Sequence, residues 1–202
     1  MHGLRRGVAR QLGRPTGGFG RLLAIGLNRF NREINTEAVA ALEVDAAHHA
    51  VDLGFGGGVG LRALLDGPAR RVTGVERAPD MLAAARKRFS RDLQSGRLAL
   101  AEGSAAALPL GDGEADRLLT VHTLYFWPDA EAGMAELHRV TARAGRLCVA
   151  IQPREAMESD PLHEHGFTLY SAADLRRLLE GAGFAAVEVR KGEGRLLGLA
   201  ER

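Results

Sequence analysis

Residues 51–60 read Val-Asp-Leu-Gly-Phe-Gly-Gly-Gly-Val-Gly, so the carboxylate Asp52 stands two positions before glycines at 54, 56, 57, 58 and 60. Without side chains, such a stretch brings bare backbone, and the amide-rich start of a following helix, up to a ligand. A second acid, Glu76, lies 24 positions after Asp52 and closes the run Arg71-Val72-Thr73-Gly74-Val75. A carboxylate at the tip of a second strand can accept hydrogen bonds from both hydroxyls of a ribose, whichever nucleoside binds. Further on, His122 and Tyr125 stand in His-Thr-Leu-Tyr-Phe-Trp-Pro-Asp. Histidine titrates near neutral pH and suits a general base, with Tyr125 as a second candidate for proton transfer. His122 suits the wall of a cofactor pocket equally well. For Phe126 and Trp127, core packing weighs at least as much as a place in the site.

These residues need a particular frame. Ala50 to Leu53 read as the end of a short buried strand, and Leu61, Ala63, Leu64 and Leu65 give helical apolar spacing over 60–67. Two patterns compete for the turn between them. A dinucleotide fingerprint counted from Gly54 fails at its sixth position, Val59, and the run Gly58 to Ala63 has the letters but starts four residues late. The pattern acid-apolar-Gly-x-Gly-x-Gly fits without a shift as Asp52 to Gly58. Downstream, strands are predicted over 71–76, 98–102, 115–121 and 146–151, the last entered by a turn at Gly145. Helices are predicted from Pro79, over 130–140, and over 172–182 with Ser171 as its cap. Alternation with short connections predicts an α/β fold, a doubly wound, Rossmann-like, mostly parallel sheet with ligands at the strands' carboxyl ends. Residues 184–190 and 196–200, joined at Gly192 or Gly194, predict a C-terminal antiparallel hairpin.

Upstream, apolar spacing predicts a helix from Arg21 to Asn35 with Asn28, Asn31 and Asn35 in a polar stripe, then a second helix capped by Thr36 and running through Leu42. This N-terminal helical cap would cover a sheet edge, face a substrate as a lid, or do both. The expected division is a basic, partly flexible leader and cap helix over 1–35 and one catalytic domain over 36–202. Residues 1–36 carry seven arginines against Glu33, a local charge of +6 inside a chain whose net charge is +2. Such a segment can attract nucleic acid, anionic lipid or an acidic substrate, and charge alone does not decide among them. It also has the arginine-rich, acid-poor character of an organelle transit peptide, against which its arginines continue into what reads as folded structure. Hydrophobic content of 46% and charged content of 26% are ordinary for a soluble globular protein, and no apolar run approaches a membrane span. The single cysteine, Cys148, sits in an apolar run and reads as a buried, inert thiol. A cytoplasmic location is the default expectation.

The order of motifs from about residue 36 to 200 resembles a class I S-adenosylmethionine (SAM)-dependent methyltransferase domain of the small-molecule type. The likeness rests on Asp52 to Gly58, Glu76 with Met81, Gly103-Ser104-Ala105, Leu108-Pro109-Leu110, Ala115-Asp116, Tyr125 to Asp129, and Leu137-His138-Arg139-Val140 before Gly145. The resemblance implies SAM as cofactor, with Gly54, Gly56 and Gly58 along its methionine part and Asp52 and Phe55 also among the cofactor-binding residues. It further implies Glu76 on the ribose, Arg77 and Met81 bordering the adenine, Gly103, Ser104 and Ala105 beside it, and His122 at the pocket wall. Where the family often has Asp on the adenine amino group this chain has Ser104, its usual Phe-Asp is Ala115-Asp116, and Phe55 stands where Cys is commoner. The implied reaction is in-line displacement of a methyl group from sulfonium to an acceptor, in which alignment and exclusion of water do most of the work.

The expected partner is a small-molecule methyl acceptor, with no membrane, nucleic acid disfavoured, and a homodimer admissible. An RNA or protein methyltransferase docking through the basic leader is the alternative, although no Asn- or Asp-Pro-Pro-aromatic motif follows the fourth strand. A non-enzymatic SAM-binding protein and a nicotinamide-dependent oxidoreductase stand behind it. No metal site is expected: His163-Glu164-His165 lies in a Pro- and Asp-containing loop and reads as exposed, as does His138 on its helix.

Overall fold

The structure is a computed structural model that describes residues 32–158 and 167–202. Its seven strands form one sheet, β1 (His49–Leu53), β2 (Arg71–Glu76), β3 (Leu98–Glu102), β4 (Ala115–Val121), β5 (Thr141–Ile151), β6 (Ala185–Gly192) and β7 (Arg195–Glu201). The order is β3-β2-β1-β4-β5-β7-β6, with the first five parallel and β7 antiparallel to both β5 and β6. The predicted mostly parallel, doubly wound sheet with a terminal hairpin is what forms. Strand order reverses beside β1, whose neighbours are β2 and β4, and such a switch point is where open α/β sheets take their ligands.

Both faces of the sheet are covered, so β1 is buried along its whole length. The period of two sends Val51 and Leu53 into one core, with Leu118, Leu147, Tyr125 and Leu137, while Ala50 joins the other, with Phe55, Leu61, Val72, Leu119 and Cys148. Asp52 therefore points toward the second face, where helices α1 (Arg32–Ala41), α2 (Val59–Asp66) and α3 (Pro79–Arg88) pack. A short α4 (Ser90–Gln94) follows α3. On the first face lie α5 (Ala130–Val140), α6 (Arg154–Met157) and α7 (Ala172–Gly181). Asp129 caps α5 by accepting the Ala132 amide at 2.9 Å, and Ser171 with Asp174 forms a reciprocal capping box on α7.

Three local readings change. Thr36 is no cap: α1 runs unbroken through it, its hydroxyl donates to the Arg32 carbonyl, and the 35/36 boundary falls inside the helix. Ile34, Asn35, Ala38 and Ala41 give this helix its buried stripe, and Arg195, in ion pairs with Glu37 (2.6 Å) and Glu33 (3.5 Å), ties it to β7. Gly145 does not start β5. The strand begins at Thr141 and carries an irregularity against β4, with Ala144 at φ +57°. The chain's end supplies the reason: Ala144 N–H donates to the Arg202 carbonyl and Arg202 N–H to the Gly145 carbonyl. His138 is half-buried, its ring edge-on to Phe184 at 4.9 Å. The hairpin turn falls at Gly194, at φ +64°. The expected leader, Asn28, Asn31 and His163-Glu164-His165 lie outside the described residues.

Candidate active site

The glycine loop leaves β1 through Gly54, whose amide donates to the Val75 carbonyl at 2.7 Å. Gly54 has φ +71°, and a Cβ there would sit 2.4 Å from Thr123 Cγ2, so only glycine lets the loops after β1 and β4 meet. Thr123 is held in turn by Thr120: their hydroxyl oxygens are 2.5 Å apart, and Thr120 Oγ1 donates to the Leu53 carbonyl at 3.1 Å. Gly56, at φ +48°, has only the Gly54 carbonyl oxygen, 3.9 Å away, near the place a side chain would fill. Bare backbone therefore faces open space at the predicted position. Arg88, from the end of α3, clasps the loop from outside by donating to the Gly57 carbonyl at 2.5 Å.

Phe55 turns away from this opening. Its ring is buried in the second core against Gly74, where an added Cβ would be 2.9 Å from Phe55 Cδ1. Only its backbone belongs to the loop, with its carbonyl accepting the Gly58 amide at 2.7 Å.

Two carboxylates line the floor. Glu76 is 5% exposed, and its Oε2 accepts the Gly56 amide at 3.0 Å. Its Oε1 accepts the amides of Arg77 (2.8 Å) and Ala78 (2.9 Å). Sequence positions 24 apart from Asp52 thus arrive on the glycine loop itself, and Oε2 keeps a lone pair for a further donor. Asp52 is 2% exposed, and its Oδ2 has no hydrogen-bond partner. It lies 2.5 Å from where a Cβ on Gly60 would be, with Asn35 Oδ1 3.1 Å from the same point. Burial, then the nearby Glu76 charge, pushes the Asp52 carboxyl up to about 7, against the opposing Leu61 amide.

Beside Glu76, the Gly103 amide donates to the Glu76 carbonyl at 3.2 Å, and Ser104 and Ala107 exchange backbone hydrogen bonds. Ser104 is half-buried and Ala105 buried, next to a turn that Glu136 holds by accepting the Leu108 amide at 2.8 Å. Arg77 is exposed, while Met81 is 3% exposed on the first turn of α3.

His122 and Tyr125 form a second constellation after β4. The His122 amide donates to the Ala150 carbonyl at 2.9 Å, and the residue has φ +57°. Its Nδ1 is 3.1 Å from the Tyr125 hydroxyl, and the rings stack at 6.0 Å and 20°. The Gln152 amide donates to that same hydroxyl. Burial pushes the imidazole down to about 4 and the phenol far above its ordinary range. At neutral pH both are therefore uncharged. Thr123 is the direct link between this pair and Gly54.

The structure joins Gly56 and Gly103 to Glu76 by hydrogen bonds, ties Gly54 to neighbouring Val75, couples Asp52 to Glu76 electrostatically, and keeps the Phe55 ring apart. Sequence reasoning missed Thr120, Thr123, Arg88 and Gln152. None carries a local signal, because each matters only through a contact between loops distant in sequence. Bare backbone, the buried acid with an unsatisfied oxygen and Glu76's spare lone pair suit a cationic nucleoside bearing a ribose and an ammonium group, as SAM does.

Comparison with known proteins agrees. The profile of a family described as "Methyltransferase domain" matches residues 51–149. An O-methyltransferase of Penicillium expansum, cnsE, is 26% identical over 168 residues, covering 80% of this chain and 59% of its own. The ubiquinone/menaquinone biosynthesis C-methyltransferase UbiE of Paracoccus denitrificans is 36% identical over 105 residues, 50% of this chain and 41% of its own. The chain thus spans about two fifths to three fifths of the length of these two relatives. Among solved structures, a chain from the complex between the Haloferax volcanii Trm112 methyltransferase activator and its methyltransferase matches with a TM-score of 0.75 at 22% identity, covering 90% of this chain and 96% of that one. With the glycine loop, the buried acid at the end of β2 and this sheet order in place, residues 51–149 match the methyltransferase-domain family, and the methyl donor that this family and its SAM-dependent structural neighbours imply is SAM.

Proposed function

We propose that this protein transfers the methyl group of SAM to a small-molecule acceptor by in-line displacement. The observation that carries the reading is the Glu76 carboxylate bonded to the bare glycine loop at Gly56, two grips for one nucleoside at the carboxyl ends of β1 and β2. When bound, SAM supplies an electrophilic methyl on sulfonium. The chain's own part is to hold and orient. Glu76 accepts from the ribose, the loop at 54–58 lies along the methionine portion, and Met81 and Ser104 flank the base. Asp52 places a carboxyl group beneath the cationic end, and its burial makes its charge state responsive to that cation.

A cluster of rings around Tyr125, with Phe126 and Phe167 half-buried against the first core, supports an aromatic or other planar acceptor. Phe126 and Phe167 are tilted against each other at 4.7 Å, and Tyr125 lies 5.9 Å from Phe167. Relatives named for ubiquinone/menaquinone and 2-methyl-6-phytyl-1,4-hydroquinone methylation point to the same class. Transfer of label from methyl-labelled SAM to a panel of catechols, hydroquinones and aromatic amines tests the reading. Turnover on one of the phenolic acceptors is expected. SAM binding with no transfer to any acceptor would leave a binding protein in its place.

One observation favours a second reading. The likeness to a chain solved with a methyltransferase activator supports an enzyme that works with a protein partner. Addition of a Trm112-type protein should then raise turnover or solubility, and no change in either would remove this reading.

A further inference from the structure

The hydroxyl of Tyr125 joins three groups, and its one hydrogen, its two lone pairs and the distances to its partners together assign the state of its neighbour. The Gln152 amide carries a hydrogen that can only be donated, so it occupies one lone pair of the Tyr125 oxygen. The single phenolic hydrogen then has two destinations, His122 Nδ1 at 3.1 Å or the Gln152 carbonyl at 3.4 Å. An O–H···O contact of that second length lies outside the usual range of about 2.5–3.0 Å, so the hydrogen goes to Nδ1. A neutral imidazole whose Nδ1 accepts must carry its own hydrogen on Nε2.

We propose that Tyr125 is a positioning residue that holds His122 in the Nε2–H tautomer, so that His122 donates a hydrogen bond to an electron-rich oxygen of the acceptor and does not serve as a general base. The assignment of an acceptor oxygen rests on the proposed function; the tautomer does not. Geometry supports a fixed imidazole. His122 holds φ +57°, a region that residues other than glycine occupy when their surroundings impose it. Those surroundings are the Ala150 carbonyl on its amide, the Tyr125 hydroxyl on its ring and the stacked phenol beside it. Tyr125 is anchored at both ends: its carbonyl accepts the Thr168 amide at 3.0 Å and its oxygen accepts the Gln152 amide. The imidazole is thereby braced between the loops that follow β4 and β5. A donor in that position stabilises the anion left when a phenol or enol releases its proton to solvent, and that oxygen forms the new bond to the methyl carbon as the C–S bond breaks to leave a neutral thioether, so no proton passes to the protein.

The experiment is long-range proton–nitrogen correlation NMR on histidine-labelled protein at pH 7.5, with His122 assigned by its disappearance in His122→Gln. In the wild type, Nε2 should resonate as protonated and Nδ1 as unprotonated. In Tyr125→Phe both should move toward the averaged position of a tautomer mixture. Protonated Nδ1 in the wild type, or an unchanged pattern in Tyr125→Phe, overturns the proposal. Should Tyr125→Phe fail to fold, the wild-type spectrum decides alone. With a phenolic acceptor that turns over, His122→Gln, which keeps a donor, should retain more activity than His122→Glu, which supplies a base; the reverse order overturns the donor role. Because the spectrum needs neither SAM nor acceptor, failure of methyl transfer would refute the proposed function while leaving the tautomer measured.

Discussion

At the scale of single residues, two buried groups pull stability in opposite directions with pH. Asp52 has its carboxyl raised from 3.8 to about 7, so between those values the native protein keeps a proton that the unfolded chain has lost. Stability contributed by Asp52 therefore falls as pH rises through that window, by up to about 1.4 kcal/mol per pH unit. His122 is lowered from 6.5 to about 4, so over that range the unfolded chain binds the extra proton and stability rises with pH. Buried His49, also lowered, acts in the same direction as His122. Relative to wild type, Asp52→Asn should gain stability between pH 4 and 7, and His122→Gln should lose it between pH 4 and 6.5. Urea unfolding across that range checks both, and profiles parallel to wild type would contradict the assignments. Glycines divide the same way. Gly60→Ala gains about 1 kcal/mol of helix propensity but puts a methyl 2.5 Å from Asp52 Oδ2 and 3.0 Å from Leu119 Cδ2, an overpacking cost of roughly 1–3 kcal/mol. Net destabilisation is expected. Gly181→Ala meets nothing within 4 Å and should stabilise by about 0.5 kcal/mol in the same denaturation assay.

At the scale of elements, the turn at 108–112 that closes the site's flank is held to α5 by Arg139. This guanidinium donates to both oxygens of Glu136, to Asp112 at 2.6 Å and to the Leu110 carbonyl at 3.0 Å, while Glu136 accepts the Leu108 amide. Arg139 is 36% exposed, so solvent screening limits its worth to about 1 kcal/mol. Arg139→Ala should cost about that much and raise amide exchange at Leu108 well above its effect on β1; uniform exchange across both would contradict a local clasp. Most elements were legible because their signals are local. Alternation of strand and helix, Ser171 as a cap, and the glycine turn are written in adjacent residues. What could not be read was set by distant chain: β5 begins at Thr141 because Arg202 pairs with Ala144 and Gly145, and Thr36 lies within α1 because Asn35 and Ala38 are buried against the sheet.

At the scale of the molecule, one sheet brings residues 52, 56, 76 and 103 to a common edge. Their spacing in sequence already carried that convergence, because parallel strands present their carboxyl ends together. The direction of Phe55 and the bracing of His122 by Tyr125 were not legible, since each depends on what packs behind it: Gly74 in one case, Gln152 in the other. Among the described residues no helix is long and apolar enough to cross a membrane. The central claim is that the cradle at 54–58 and the carboxylate of Glu76 bind SAM together. Calorimetric titration of the wild type and Glu76→Ala with SAM and its demethylated product, both proteins first confirmed folded by melting, measures this directly. Saturable binding by the wild type, weakened at least about tenfold in Glu76→Ala (about 1.4 kcal/mol), is the predicted result. Equal affinity in the two proteins, or tight NAD binding with no response to SAM, would contradict it.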